Sequence, residues 1–275
     1  MLIAIDAGNS TIAFGIYPEP AKREPLHVAK LAMEPPPTAE QCEKVLGRLL
    51  HRAMTGGHAD WSPVSALGNR RATDLDVIIS SVVPRLNRAL IASARSVSPH
   101  RPLVVSHRTT AGLRFEVPKP AQVGSDRIAN AVAASSAFRG PVAVADCGTA
   151  TTITVVGPRG QFLGGAIMPG LSLMMDSLHR SAARLPRVSL AEPRDVLGRE
   201  TAASIASGVI NGTAGAIEFI LRGIEKELGF RVQLVLTGGH CGLLSPVMGR
   251  RHRVMPSLTF EGLRLIYLRN AHPVS

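Results

Sequence analysis

The sequence predicts an α/β protein of two similar lobes, each a mixed sheet flanked by helices. Two stretches share one lettering, Asp6-Ala7-Gly8-Asn9-Ser10-Thr11 and Asp146-Cys147-Gly148-Thr149-Ala150-Thr151-Thr152. Each lies between an apolar run and a second β-prone run, residues 2–5 and 12–17 in one case, 142–145 and 153–156 in the other. The two aspartates stand 140 residues apart in a 275-residue chain, near half its length. Strand-like and helix-like segments alternate between and after them, which argues α/β architecture. The expected lobes are residues 1–110, with the Asp6 turn, and 111–275, with Asp126 and the Asp146 turn.

The first lobe opens on the strand–turn–strand unit. After a loop holding Pro18, Pro20 and Pro25, residues 26–29 read as a short strand. Pro35-Pro36-Pro37 stops regular structure, because proline lacks the backbone donor. Thr38 and Gln41 form a capping box, and Val45, Leu46, Leu49 and Leu50 recur at helical spacing behind it. The glycine-bearing stretch 55–71 reads as loop. Residues 77–83 read as a buried parallel strand. Pro84 opens a helix to about residue 94, and 103–105 is another strand.

In the second lobe, Pro118 and Pro120 keep residues 115–122 extended. Val123-Gly124-Ser125-Asp126-Arg127 leads into an alanine-rich helix over 128–138. The second hairpin runs through Phe162-Leu163 to Gly164-Gly165-Ala166-Ile167-Met168-Pro169-Gly170, with a helix over 171–183. Residues 201–212 are small and helical. Ile217, Ile220, Leu221, Ile224 and Leu228 make an amphipathic stripe ended by Gly229. Residues 232–236 form a strand feeding Thr237-Gly238-Gly239-His240. A last helix over 260–270, capped by Thr259, is expected to pack back on the first lobe.

Apolar residues make up 45 % of the chain, enough for a real core. No uninterrupted apolar run reaches the roughly 18 residues that span a bilayer. Asp6 breaks the N-terminal apolar stretch too early for a signal peptide. A cytoplasmic protein, with no membrane partner, is expected. Three scattered cysteines, Cys42, Cys147 and Cys241, fit neither a disulfide framework nor a metal cluster. The net charge of +11 is mostly arginine and is spread along the chain, while aromatic content is 4 %, which leaves few base-stacking platforms. Nucleic acid is therefore not the expected partner; a basic surface attracting an anionic nucleotide is.

A polar Asp-x-Gly turn places N–H groups and hydroxyls beside a carboxylate, a concavity suited to a phosphate chain and its metal ion. An Asp after a strand also caps its own turn; the repetition favours the phosphate reading, with a nucleotide between two lobes. Phosphoryl transfer needs held phosphates, a neutralising cation and a base aimed at the acceptor hydroxyl. Asp6 and Asp146 are candidates for the cation, and Ser10, Thr11, Thr149 and Thr151 for the phosphates. Asp126, at a helix start, is placed to accept a hydroxyl proton, and Arg127 to hold an anion bidentately; a capping Asp beside a surface Arg is the plainer alternative. Gly238-Gly239 permits close approach of a flat ligand such as adenine, or is an ordinary tight turn.

These motifs, with Ile79-Ser80-Ser81-Val82-Val83-Pro84, Leu185-Pro186-Arg187-Val188, Gly198-Arg199-Glu200-Thr201 and Leu258-Thr259-Phe260-Glu261-Gly262-Leu263, resemble the type III pantothenate kinase family along nearly the whole chain. That family belongs with acetate kinase, hexokinase and actin, so the resemblance implies two lobes of ribonuclease H-like, actin-like ATPase fold. It implies phosphorylation of pantothenate by ATP to 4'-phosphopantothenate, the first step toward coenzyme A. It implies Asp126 as general base, Arg127 on the pantothenate carboxylate, Gly124 and Ser125 against the substrate, and Thr201 reaching it at a subunit interface. Asp6, Ala7, Gly8, Asn9, Ser10 and Thr11 would hold ATP, with Asp6 on Mg2+. Gly148, Thr149 and Thr151 would border the triphosphate, Gly238 and Gly239 the adenine, and Asp146 would bind K+ or NH4+. A homodimer joined through the second lobe is implied. Val117 departs from the pattern, standing where the family carries a tyrosine that contacts pantothenate. The alternatives are a kinase of this fold for another small hydroxylated acceptor, and a non-catalytic transcriptional accessory factor.

Overall fold

The computed structural model describes residues 1–55, 74–109, 111–182 and 184–271. Apart from Thr55, the loop expected at 55–71 lies outside them. One sheet contains β1 (Leu2–Ala7), β2 (Thr11–Tyr17), β3 (His27–Ala32), β4 (Asp76–Ser81) and β5 (Leu103–Val104), in the order β3-β2-β1-β4-β5. The other contains β6 (Arg114–Phe115), β7 (Val142–Cys147), β8 (Ala150–Val156), β9 (Gln161–Pro169), β10 (Gln233–Thr237) and β11 (His252–Val254), in the order β11-β10-β7-β8-β9-β6. Read from the opposite edge, β9-β8-β7-β10-β11 repeats the first order, with β6 added outside β9. In each sheet three antiparallel strands precede parallel ones. The burial patterns repeat as well: β1 and β7 are buried everywhere except at Asp6 and Asp146, their fifth residues.

Hairpins need only turns, whereas parallel strands need crossovers, which helices supply. They are α1 (Ala39–Thr55), α2 (Asn87–Val97), α3 (Ser125–Ala137), α4 (Leu171–Ser181), α5 (Thr201–Leu228), α6 (Cys241–Leu244) and α7 (Leu258–Ala271). The capping box before α1 forms as expected: Thr38 N–H donates to Gln41 Oε1 at 2.8 Å, and Gln41 N–H to Thr38 Oγ1 at 3.2 Å. The two helical patterns seen after residue 201 are one 28-residue helix, closed by Gly229 at φ +73°. By length and composition α5 is apolar enough to cross a bilayer, although Ser207, Asn211 and Glu218 interrupt its run. Its apolar stripe forms the core of the second unit. α6 and β11 escaped the sequence reading, being too short to show a period.

The chain divides into two compact units. The first comprises Met1–Gly112, Lys119–Ala133 and Thr259–Ser275; the second comprises Leu113–Pro118 and Ala134–Leu258. A single cut near residue 110 therefore does not describe the units: the segment bearing Asp126 clusters with the first. In that unit Ile3, Ile5, Phe14 and Ile79 pack against Leu46 of α1 and Leu90 of α2. Side chains alternate across a strand, so Asp6 and its register partner Ser80 point to the other face. That face carries α3 and α7. Tyr267 Oη of α7 donates to Asp76 Oδ2 at 2.6 Å. The α7 backbone at Gly262 lies directly against that of Ala129 in α3. Thr259 lies within α7 rather than capping it. Its hydroxyl donates to Asn130 Oδ1 at 2.9 Å, tying α7 to α3.

In the second unit Ala143, Cys147, Ile153 and Leu236 pack against Ile210, Ile217 and Leu221 of α5. The C-terminal end of α5 is locked by the buried Glu225. Its carboxylate accepts from Val232 N–H at 2.8 Å, from Arg250 Nη1 at 3.1 Å and from Arg231 Nη1 at 3.1 Å. The Arg250 guanidinium beside it lowers its pKa to about 2.

Candidate active site

The two acidic turns share lettering and strand position but differ in length. Ala7 pairs with Ile12 across the first, leaving four residues in the loop; Cys147 pairs with Thr151 across the second, leaving three. Gly8 N–H donates within its turn to Thr11 O at 3.0 Å, and Gly148 N–H to Ala150 O at 3.1 Å. Those amides hold the turns rather than face a ligand. Asn9, Ser10 and Thr149 are exposed, Gly8, Thr11 and Gly148 partly so, and Ala7 is buried in the core. Thr151 is 0 % exposed, on the core side of β8 with Ile153, and its Oγ1 has no hydrogen-bond partner. The residue that shares Asp146's face is its register partner Thr152, which the sequence reading gave no role.

In the first unit, Asp126 lies in the first turn of α3, on the sheet face to which Asp6 and Ser80 point. Its Oδ1 accepts the Arg127 N–H at 2.7 Å. The backbone ahead of it must be glycine, because a Cβ at residue 124 would stand 2.4 Å from Asp126 Oδ1. Burial raises the Asp126 pKa above the ordinary carboxylate range, and the Arg127 N–H and charge offset only part of this. A carboxylate that is raised, sheltered and sited beside an acidic turn has the character of a general base. Burial also works against the Arg127 charge, with Asp126 opposing the shift. The Ser125 side chain is turned away from this surface: its Oγ lies 3.0 Å from Ser80 Oγ and accepts Ser81 N–H at 2.9 Å. Ser80 and Ser81 had entered the sequence reading only as part of the Ile-Ser-Ser-Val-Val-Pro stretch.

In the second unit, Asp146 pairs in parallel register with Thr237, which delivers Gly238 over the carboxylate. Gly238 has φ +87°, and a Cβ there would stand 2.4 Å from Asp146 Oδ1 and 2.7 Å from Cys147 N. The cradle thus admits a small ion beside the Asp146 oxygen. Gly239 is exposed, and His240 N–H donates to Cys147 O at 3.0 Å. Burial pushes the Cys147 thiol up to about 12, so it fills space and is not a nucleophile. Thr201 is the exposed first residue of α5. Val117 packs toward Gly164 of β9, 3.7 Å from where a Cβ would lie. Among the described residues no cluster of three His, Cys, Asp or Glu could enclose a metal. Each acidic turn supplies one carboxylate, which suits a cation that takes its other ligands from phosphate oxygens and water.

Two sheets of one topology, each ending its first strand in an acidic turn, define a phosphotransferase of the actin-like ATPase and sugar-kinase fold. The chain belongs to the type III pantothenate kinase family, whose sequence model matches residues 2–223. A type III pantothenate kinase of Moorella thermoacetica is 36 % identical over 270 residues, covering 98 % of this chain and 100 % of the relative. Another from Anaeromyxobacter sp. is 37 % identical over the same length and with the same coverage. Among solved structures, a putative Baf family transcriptional activator from Campylobacter jejuni shares the fold at TM-score 0.58 and 19 % identity, covering 98 % of both chains. A putative 2-dehydro-3-deoxygalactonokinase from Sinorhizobium meliloti does so at TM-score 0.55 and 14 % identity over 100 % of each.

Proposed function

We propose that this kinase transfers the γ-phosphoryl group of ATP to the terminal hydroxyl of pantothenate, the first step of coenzyme A biosynthesis, with Asp126 as the base. The observation that carries the reading is the raised, sheltered Asp126 carboxylate on the sheet face of Asp6. Asp126 Oδ1 is held by Arg127 N–H, which leaves Oδ2 to take the hydroxyl proton as the oxygen bonds to phosphorus and ADP departs. Arg127 holds the pantothenate carboxylate, and Gly124 lets the acceptor approach. Asn9, Ser10, Thr11 and Thr149 line the phosphates, and Gly238 and Gly239 border the adenine. Asp6 would hold Mg2+, and Asp146, in its glycine cradle, K+ or NH4+. Bound cations neutralise the phosphate charge that builds during transfer.

A homodimer through the second unit is supported by an apolar groove of about 670 Å³ between α4 and α5, lined by Leu173, Met174, Leu178, Ile205 and Val209. Leu173 is 44 % exposed beside it, a patch suited to a second copy. Thr201, at the start of α5, would reach the partner's substrate. The chemistry supports a cytoplasmic enzyme. The deciding experiment incubates the protein with ATP, magnesium, potassium and pantothenate. Phosphopantothenate forms, and Asp126→Ala abolishes it; turnover of another hydroxylated acceptor and not of pantothenate would overturn the acceptor.

A further inference from the structure

We propose that Ser125 is a positioning residue, which fixes the first turn of α3, and with it Asp126, to the end of β4 through Ser80 and the backbone of Ser81. The proposal rests on the reading of Asp126 as the base. Three observations carry it. Ser125 Oγ lies 3.0 Å from Ser80 Oγ and accepts Ser81 N–H at 2.9 Å, so one hydroxyl engages both residues that end β4. Ser80 is 0 % exposed and Ser125 6 %, so the bond is shielded from competing water. Ser80 is the register partner of Asp6, so the bond links the helix bearing the base to the strand position beside the acidic turn.

The lever is short. Asp126 follows Ser125 directly, and the first turn of a helix has few intrahelical hydrogen bonds of its own. Further along, α3 is held only one turn later, by the Thr259 hydroxyl on Asn130 Oδ1 at 2.9 Å. Without the Ser125 anchor, the first turn and the carboxylate on it can swing while the rest of α3 stays docked. A displacement of about 1 Å at a reacting group can cost on the order of a hundredfold in rate. The geometry also separates Ser125 from substrate contact, because its hydroxyl is spent on the protein in a buried bond.

Steady-state kinetics on Ser125→Ala, Ser125→Thr, Ser80→Ala and Asp126→Ala test this. Ser125→Ala is expected to lower kcat about tenfold, within the range a misplaced group produces, with both KM values changed by less than about twofold. Ser125→Thr, which restores the hydroxyl, recovers at least half of the rate. Ser80→Ala loses less than Ser125→Ala, because the bond to Ser81 N–H remains. A rise in KM for pantothenate at unchanged kcat would make Ser125 a substrate contact and overturn the proposal, as would wild-type kinetics in Ser125→Ala. Should Ser125→Ala not fold, Ser80→Ala decides, and an undiminished kcat there overturns it. Full activity in Asp126→Ala would instead sink the base assignment; an inactive Asp126→Ala beside a fully active Ser125→Ala sinks the positioning role alone.

Discussion

Gly238 closes over Asp146: a Cβ at residue 238 would stand 2.4 Å from the Asp146 Oδ1 atom, on a backbone with φ +87°. Both the space and the left-handed conformation therefore demand glycine. Gly239, its neighbour, has nothing within 4 Å of the equivalent position. Gly238→Ala is expected to destabilise the protein by about 2 kcal/mol or more, the sum of backbone strain and steric conflict. Gly239→Ala should change stability little. Urea unfolding of the two variants reads the difference, and equal effects would remove the cradle from the account.

The pH profile of kcat should carry the signature of Asp126. Only its carboxylate form accepts a proton, and burial holds its pKa above the ordinary range. The rate therefore falls on acidification through an apparent pKa above about 3.9, the reference value for aspartate. An acid limb at or below that value contradicts a buried base.

The same burial implies a cost in stability. Because the folded-state pKa of Asp126 is raised above its unfolded value, its contribution is favourable when protonated and is lost as pH rises through both values. At neutral pH the charged carboxylate destabilises the fold. Asp126→Asn is expected to raise stability by about 1 kcal/mol while abolishing turnover. Thermal denaturation beside the kinase assay checks both halves.

Glu225 has the opposite sign. Its pKa is lowered to about 2 by Arg250 first, then by Val232 N–H and Arg231. Its contribution is present above the unfolded value of about 4.3 and is lost as pH falls through the folded one. Glu225→Gln should cost about 3 kcal/mol at pH 7, as expected for removing one partner of a buried pair. The gap from wild type should narrow between about pH 4 and pH 2. A constant gap would mean that packing, and not charge, is what the substitution removes.

The apolar groove between α4 and α5 makes a prediction about assembly. Leu173→Glu places a charge on its rim and should convert a dimer into monomers, measured by light scattering after size exclusion. Loss of pantothenate affinity in the monomer would support a role for Thr201 across the interface; a dimer unaffected by the substitution would locate the interface elsewhere.

The duplicated unit was legible because a buried strand closed by Asp-x-Gly is a local pattern, and the burial of β1 and β7 follows directly from it. The capping box at Thr38 and Gln41 was legible for the same reason. The roles inside the site were less so. Thr151 reads as a phosphate ligand from its place after the turn, yet the alternation of β8 turns it into the core and leaves Thr152 on the face of Asp146. The loops differ by one residue, a difference that depends on pairing register and that lettering does not show. The partners of Ser125 lie more than 40 residues upstream, and no local period points to them. Thr259 looked like a helix cap because threonine before an apolar run usually is one; its hydroxyl instead meets a partner 129 residues away.

The first unit is assembled from three separate stretches of chain, and the last of them is α7, whose backbone at Gly262 lies against α3. A ribosome making this protein releases the Asp6 strand first and α7 more than 240 residues later. During that interval the sheet face meant for α3 and α7 has no complete cover, so the nascent chain holds every acidic residue of the site without a finished base. Catalytic competence therefore arrives late and abruptly in synthesis, and a chain released before α7 has emerged would be a candidate for quality control rather than a weak enzyme.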